Sequence, residues 1–242
     1  GETNAVVSVH IYNLKTGKIT EVNTGEKGDI YFPRIKWTPD NQLCVFRLNR
    51  HQNHLKLLLA NPKDGSTKVL LEEKNDYYID IHDDLTFLKD GKQFVWTSEK
   101  SGYNHIYLNT LQGEEKQITK GNWDVIEIQG IDEKNGLIYY LSSENGAIYQ
   151  DLYVINTDGT EKKNLSTRKG NNSTSFSKGM KYYINYHSDA NTPSFISLHK
   201  ANGEEIKLWN KVGVLKETKN GGKYLQLFRQ MAARFHKRSR KN

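Results

Sequence analysis

A short polar turn ending in glycine recurs along this chain. It stands at Gly17 (Asn-Leu-Lys-Thr-Gly), Gly65 (Asn-Pro-Lys-Asp-Gly), Gly113 (Leu-Gln-Gly), Gly159 (Asn-Thr-Asp-Gly) and Gly203 (Lys-Ala-Asn-Gly), at intervals of 48, 48, 46 and 44 residues. A period in the forties with strand-like flanks is that of a β-propeller, where each repeat is one four-stranded blade. The repeat from Asp84 reads most clearly. Leu85-Thr86-Phe87 leads to the turn Lys89-Asp90-Gly91-Lys92, and Gln93 to Ser98 alternates as a strand. A loop from Glu99 to Asn104, a strand from His105 to Leu108, the turn at Gly113 and a last strand from Lys116 to Thr119 complete the unit. Asp-Gly and Asn-Gly pairs mark tight hairpins, because glycine accepts the positive φ these turns need. Related repeats start near Phe32, Val125 and Ser173, while Val6 to Val22 reads as the last two strands of a blade.

The expectation is an all-β chain: a partial β-propeller of about four to five blades of four-stranded antiparallel sheet over residues 1–219, then a basic, helix-compatible tail over 220–242. The 242 residues are enough for a real core, and 14 Tyr and 8 Phe suit half-buried sheets. No apolar run reaches the roughly 18 residues of a transmembrane helix, and no signal peptide is visible. The chain begins at Gly1 already inside a blade and is expected to be a fragment or a processed chain. Cys44 is the single cysteine, so no internal disulfide is possible; its setting, Leu43-Cys44-Val45-Phe46, is that of a buried, inert thiol.

The net charge of +7 invites a nucleic-acid reading, but its placement argues against one. Residues 220–242 hold Lys223, Arg229, Arg234, Lys237, Arg238, Arg240 and Lys241 and no acid, so residues 1–219 carry 28 basic and 28 acidic side chains. The body is balanced and has no overall bias towards phosphate.

Several phrases go beyond a generic propeller. Ser98-Glu99-Lys100-Ser101-Gly102-Tyr103-Asn104-His105-Ile106-Tyr107 is followed by Ile118-Thr119-Lys120-Gly121-Asn122-Trp123-Asp124-Val125, then Ile138-Tyr139-Tyr140-Leu141-Ser142 and Ser175-Phe176-Ser177-Lys178-Gly179. Upstream stand Phe32-Pro33-Arg34-Ile35-Lys36-Trp37 and Arg47 to Asn53. In this order, from about Val6 to Trp209, they resemble the propeller domain of the dipeptidyl peptidase IV group within the prolyl oligopeptidase family of serine peptidases, its bacterial members in particular. The resemblance implies removal of dipeptides from peptide N-termini, and an eight-bladed propeller joined to an α/β-hydrolase domain. It also suggests a periplasmic, secreted or cell-surface location.

The nucleophile of such enzymes sits on a Gly-x-Ser-x-Gly elbow. No such motif occurs in these 242 residues, so catalysis is assigned to a domain outside this chain and no catalytic residue is expected within it. The resemblance also implies an adjacent pair of glutamates for the substrate's amino terminus. Glu72-Glu73, Glu114-Glu115 and Glu204-Glu205 are adjacent, but all lie at polar turns and strand ends, and the role is not carried over to them. An inter-blade segment of relatives contributes an aromatic and an arginine to the substrate cavity; the corresponding positions here are Asp80 and Ile81. Asp80 is therefore the one substrate-cavity candidate. No cofactor is expected. Asp80, His82, Asp83 and Asp84 form the sole acid–histidine cluster, without the second histidine or fixed geometry a metal would ask for. His105 and Trp123 read as structural, Trp123 at a blade boundary. Of the adjacent tyrosines Tyr139-Tyr140 and Tyr182-Tyr183, one of each pair is expected in the core and the other at a seam or the surface. Asn164, Asn171 and Asn172 open glycosylation-type triplets that also suit polar loops.

From about Asn220 the sequence changes character. Leu225, Phe228, Ala232 and Phe235 can share a helical face. The segment could bind nucleic acid or an anionic membrane, could dock on an open propeller edge, or could be out-of-frame sequence. Read two nucleotides later, Gln230-Met231-Ala232-Ala233 becomes Asp or Asn, then Gly, then a small residue or Arg, the pattern the family carries where its chain leaves the propeller. Expected partners are a peptide substrate and a hydrolase domain in an intact protein, with self-association through open propeller edges. A stand-alone propeller interaction module is the alternative reading.

Overall fold

The computed structural model describes residues 5–25, 27–191 and 194–209; the basic segment 220–242 lies outside them. Every regular element among the described residues is a strand. The first sheet has two strands, β1 (His10–Tyr12) and β2 (Ile19–Glu21), joined by the Gly17 turn. The next contains β3 (Ile30–Tyr31), β4 (Ile35–Trp37), β5 (Leu43–Asn49), β6 (His54–Ala60) and β7 (Thr67–Lys74). Both β3 and β4 pair with β5, so they are two halves of one inner strand. The break falls at Phe32-Pro33-Arg34, where proline has no N–H to give to a ladder.

Three more sheets follow, each a four-stranded antiparallel meander. The second full blade is β8 (Thr86–Phe87), β9 (Gln93–Ser98), β10 (His105–Thr110) and β11 (Glu115–Gln117). The third is β12 (Val125–Asp132), β13 (Leu137–Ser142), β14 (Asp151–Asn156) and β15 (Lys163–Asn164). The fourth is β16 (Asn171–Phe176), β17 (Tyr182–Ser188), β18 (Phe195–Lys200) and β19 (Glu205–Trp209). The described residues form four full blades and the outer half of another, and the repeat marked each of them.

The core is divided among the seams between blades. Because side chains alternate across a strand, each central strand feeds two seams. Val45 packs with Ile11 and Val22 of the half blade, while its neighbours Cys44 and Phe46 pack with Phe94 and Trp96 of the second blade. Val95 and Tyr140 meet in the next seam, and Tyr139 and Tyr183 in the one after. Tyr139 and Tyr140 are thus both buried, on opposite seams, whereas Tyr183 is 3% and Tyr182 45% exposed. The half blade covers only the outer part of its neighbour, which leaves Ile35 and Trp37 of β4 57% and 53% exposed.

The recurrent glycine has a second cause besides its turn. Gly65 has φ +76°, and a Cβ there would lie 1.9 Å from the carbonyl oxygen of Glu21. The turn of one blade therefore rests on the outer strand of the blade before it. Asn23 N–H donates to the Gly65 carbonyl at 2.8 Å, and Thr67 Oγ1 to the Asn23 carbonyl at 2.7 Å, closing the same junction.

Trp123 lies at the boundary of the second and third blades, stacked 6.3 Å from Tyr140 and edge-on to His105 at 5.0 Å. His105 is buried; its Nε2 donates to the Gly121 carbonyl at 3.0 Å, and Nδ1 lies 3.1 Å from Thr119 Oγ1. Both residues are structural ties.

Candidate functional site

The connection from Asn75 to Asp84 carries the chain from the outer strand of the first full blade to the inner strand of the second. Between this connection, the end of β7 and the Glu99–Asn104 loop lies a cleft of about 350 Å³. Its lining is mixed: Tyr78, Ile79 and Ile126 are apolar or aromatic, Lys74 and Lys100 basic, and Glu72, Glu73, Asp80, Asp84, Glu99 and Glu115 acidic. The space in the seam of the third and fourth blades is about 10 Å³, room for roughly one water and no larger ligand.

Asp80 is exposed on the connection and lines the cleft, with no hydrogen bond or ion pair to it among the described residues. Its sequence neighbours are held firmly. Ile79 is buried in the seam below, and its N–H donates to the Gln52 carbonyl at 2.7 Å. His82 stacks against Trp96 at 4.3 Å between ring centroids. Its Nε2 lies 3.0 Å from the Thr97 carbonyl, which can only accept, so Nε2 carries the proton and Nδ1 faces the Asp84 N–H at 3.4 Å.

Asp84 is 9% exposed and fully engaged. It accepts from Thr97 Oγ1 at 2.9 Å and, across the next seam, from the Ile128 N–H at 3.1 Å. Ile128 stands at a register shift of β12, where the bulge frees an N–H from the ladder. This carboxylate ties the second blade to the third. Asp83 points elsewhere and pairs with Arg34 Nε at 2.6 Å, a hydrogen bond that holds its pKa below the usual carboxylate value. Lys36 donates to the Leu85 carbonyl; burial pulls its pKa down, against the opposing pull of Asp83 and Asp84.

The structure brings the Glu72-Glu73 pair and one member of a second, Glu115, to this cleft. On β7 the members diverge. Glu72 lies 2.6 Å from His54 Nε2, with Lys56 at 3.6 Å and Lys74 at 3.5 Å, and its pKa is lowered chiefly by the His54 hydrogen bond. Glu73 accepts from the Trp96 indole N–H at 2.9 Å. Glu115 is paired with Lys100, whose ammonium also sits 4.0 Å from the Tyr107 ring centroid. Sequence reasoning did not reach the Glu73–Trp96 tie; the available signal was a Glu on an outer strand opposite a Trp on the next blade's central strand. Among the described residues no group of three or more His, Cys, Asp or Glu is arranged to hold a metal ion, the Asp80–Asp84 cluster included. Glu204 and Glu205 lie away from the cleft, Glu204 with Lys200 at 2.9 Å and Glu205 with Arg168 at 3.1 Å. Asn172 is 1% exposed, its amide donating to Gln150 and Asp151, while Asn164 and Asn171 are exposed.

Successive antiparallel blades packed face to face, with a cleft under an inter-blade connection, define a β-propeller segment. The family model of the dipeptidyl peptidase IV N-terminal region matches residues 1–194, and the chain belongs to that family. Dipeptidyl peptidase 4 of Porphyromonas gingivalis is similar in structure, with a TM-score of 0.79 and 36% sequence identity over 87% of this chain and 30% of that one. A probable dipeptidyl peptidase 4 of Emericella nidulans is 26% identical over 76% of this chain, and the inactive dipeptidyl peptidase 10 of Mus musculus 28% over 66%. The chain spans 26% and 22% of the length of these two relatives.

Proposed function

We propose that this chain is the non-catalytic propeller portion of a bacterial dipeptidyl-peptidase-IV-like serine exopeptidase, where it gates and shapes the access of peptide substrates to a hydrolase domain. The observation that carries this reading is the cleft around Asp80, formed on a connection that the surrounding seams hold in place. A rigid frame suits a specificity element, because a side chain contributes to selection only if its position is fixed before the ligand arrives. Asp80 and Glu99 present carboxylates there, and Tyr78 and Ile126 present apolar surface. The match to an N-terminal region and the lack of a Gly-x-Ser-x-Gly elbow in the 242 residues support a role beside catalysis.

The test is a chimera in which this propeller segment replaces its counterpart in the Porphyromonas gingivalis enzyme. The reading predicts retained turnover of a Gly-Pro anilide with an altered ranking of longer peptides. Asp80→Ala should then change KM for those peptides and leave kcat for the anilide unaltered. A chimera that ranks peptides as the parent does and ignores Asp80→Ala would contradict it. A stand-alone interaction module is the second reading; the similarity to a relative named as inactive favours it, and it predicts stable capture of a protein partner by the chain without any peptide preference.

A further inference from the structure

The cleft under the 75–84 connection sorts its charges unevenly. Both lysines that line it are already paired: Lys74 lies 3.5 Å from Glu72, and Lys100 is held by Glu115. Glu72 also faces His54 and Lys56, so it is engaged on the β6–β7 surface. Asp84 is turned into the seam, towards Thr97 and the Ile128 N–H. Glu73 takes the neutral indole N–H of Trp96. Asp80 and Glu99 remain. Both are exposed, and among the described residues neither carboxylate has a hydrogen bond or an ion pair. They come from different walls, one from the connection and the other from the loop after β9. Every uncompensated charge in the cleft is therefore negative. Beside these carboxylates lie Tyr78 and Ile126, 55% and 43% exposed. An exposed aromatic face attracts a cation, and apolar surface next to it covers the methylene stem of a long basic side chain.

We infer that the cleft selects peptides that carry a lysine or arginine side chain, whose charged head meets Asp80 and Glu99 and whose stem lies along Tyr78 and Ile126. The space of about 350 Å³ is in the usual range for a small-ligand pocket and admits such a side chain. Asp80 and Glu99 break no existing tie to take the cation, which separates them from Glu72, Glu73, Asp84 and Glu115. An acidic side chain meets carboxylates on both walls and is disfavoured, and an uncharged one gains nothing from them. The inference rests on the reading of this cleft as a peptide-selecting element and adds the class of peptide it selects.

The experiment is titration of the full 1–242 chain with matched fluorescent peptides that differ at one position, lysine, norleucine or glutamate, followed by anisotropy. At low salt the lysine peptide should bind about five- to tenfold more tightly than the norleucine peptide, and the glutamate peptide more weakly than both. The margin should shrink as salt is added, because the two carboxylates are exposed and screened. In the double variant Asp80→Asn, Glu99→Gln the lysine preference should disappear. Its thermal midpoint should match the wild type, since neither side chain has a partner to lose. Glu204→Gln, away from the cleft, should keep the preference. Lysine and norleucine peptides that bind equally well to the wild type would overturn the inference and leave the peptide-selecting cleft standing. A preference that survives the double substitution, or that Glu204→Gln abolishes as well, would overturn it too. Absence of binding by every peptide would overturn both this inference and the reading on which it rests.

Discussion

Gly65 and Glu21 touch backbone to backbone, so closely that a Cβ on Gly65 would lie 1.9 Å from the Glu21 carbonyl oxygen. Gly113 occupies the equivalent turn one blade later with φ +97°, but a Cβ there meets nothing within 4 Å. The two glycines share a conformational demand and differ in packing. Gly113→Ala should cost only the backbone strain of a left-handed residue, about 1–2 kcal/mol. Gly65→Ala adds displacement of the half blade from the first full blade and should cost at least about twice as much. Urea denaturation of both variants checks this; equal losses would show that the turn alone explains the repeat.

The link between Trp96 and Glu73 predicts a coupling between neighbouring blades. Trp96 is fully buried, and its indole N–H is the donor to Glu73 Oε1 at 2.9 Å. Trp96→Phe removes that donor and should cost about 1.5–3 kcal/mol, the usual range for a hydrogen bond to a charged group, plus the loss in packing. In a double-mutant cycle with Glu73→Ala the losses should be less than additive. Strict additivity would mean that the pair does not hold the seam.

Buried acids of high pKa set the alkaline limit. Burial raises the Cys44 thiol from 9.0 to about 12 and the Tyr153 phenol from 10.0 to about 12, and it raises Tyr140 and Tyr183 as well. A group whose folded pKa lies above its unfolded value contributes stability in full below the unfolded value, and that contribution is lost as pH climbs towards the folded one. For Cys44 the loss begins near pH 9.0 and runs to about 12. The thermal midpoint should therefore fall above pH 9, and Cys44→Ala should flatten the first part of the fall. The thiol should also resist modification until the chain unfolds. Rapid native-state labelling, or an unchanged slope in the variant, would count against a sealed seam.

The tail is testable through charge alone. Residues 220–242 carry seven Lys and Arg and no acid, and the remainder is balanced. Retention of the 1–242 chain on heparin should fall steeply with salt, and a 1–219 chain should flow through. Equal retention of the two would place the binding on the propeller instead.

Blade number, strand order and the half blade were legible because the glycine turn repeats and strands alternate, both local properties. The seams were less so. That Tyr139 and Tyr140 are both buried follows from a sheet with neighbours on each side, which no single strand reveals. The division of the inner strand at Pro33 depends on which N–H groups the ladder requires. At the site, Asp80 was reached through a family resemblance, and the structure sets it in a cleft. The sequence places Glu73 at a polar strand end and does not reveal its tie to Trp96, which is 23 residues away on another blade. Asp84 was read within an acidic cluster, yet its carboxylate reaches across 44 residues to Ile128, a contact created by a bulge.

The most direct test of the account is hydrolysis of a Gly-Pro anilide by the purified 1–242 chain. No Gly-x-Ser-x-Gly elbow exists in its sequence, and without that nucleophile a serine peptidase mechanism has no starting point. Turnover should not rise above that of a heat-killed control. Turnover that is abolished by a serine-directed phosphonate would contradict the account, because catalysis would then reside in the propeller chain itself.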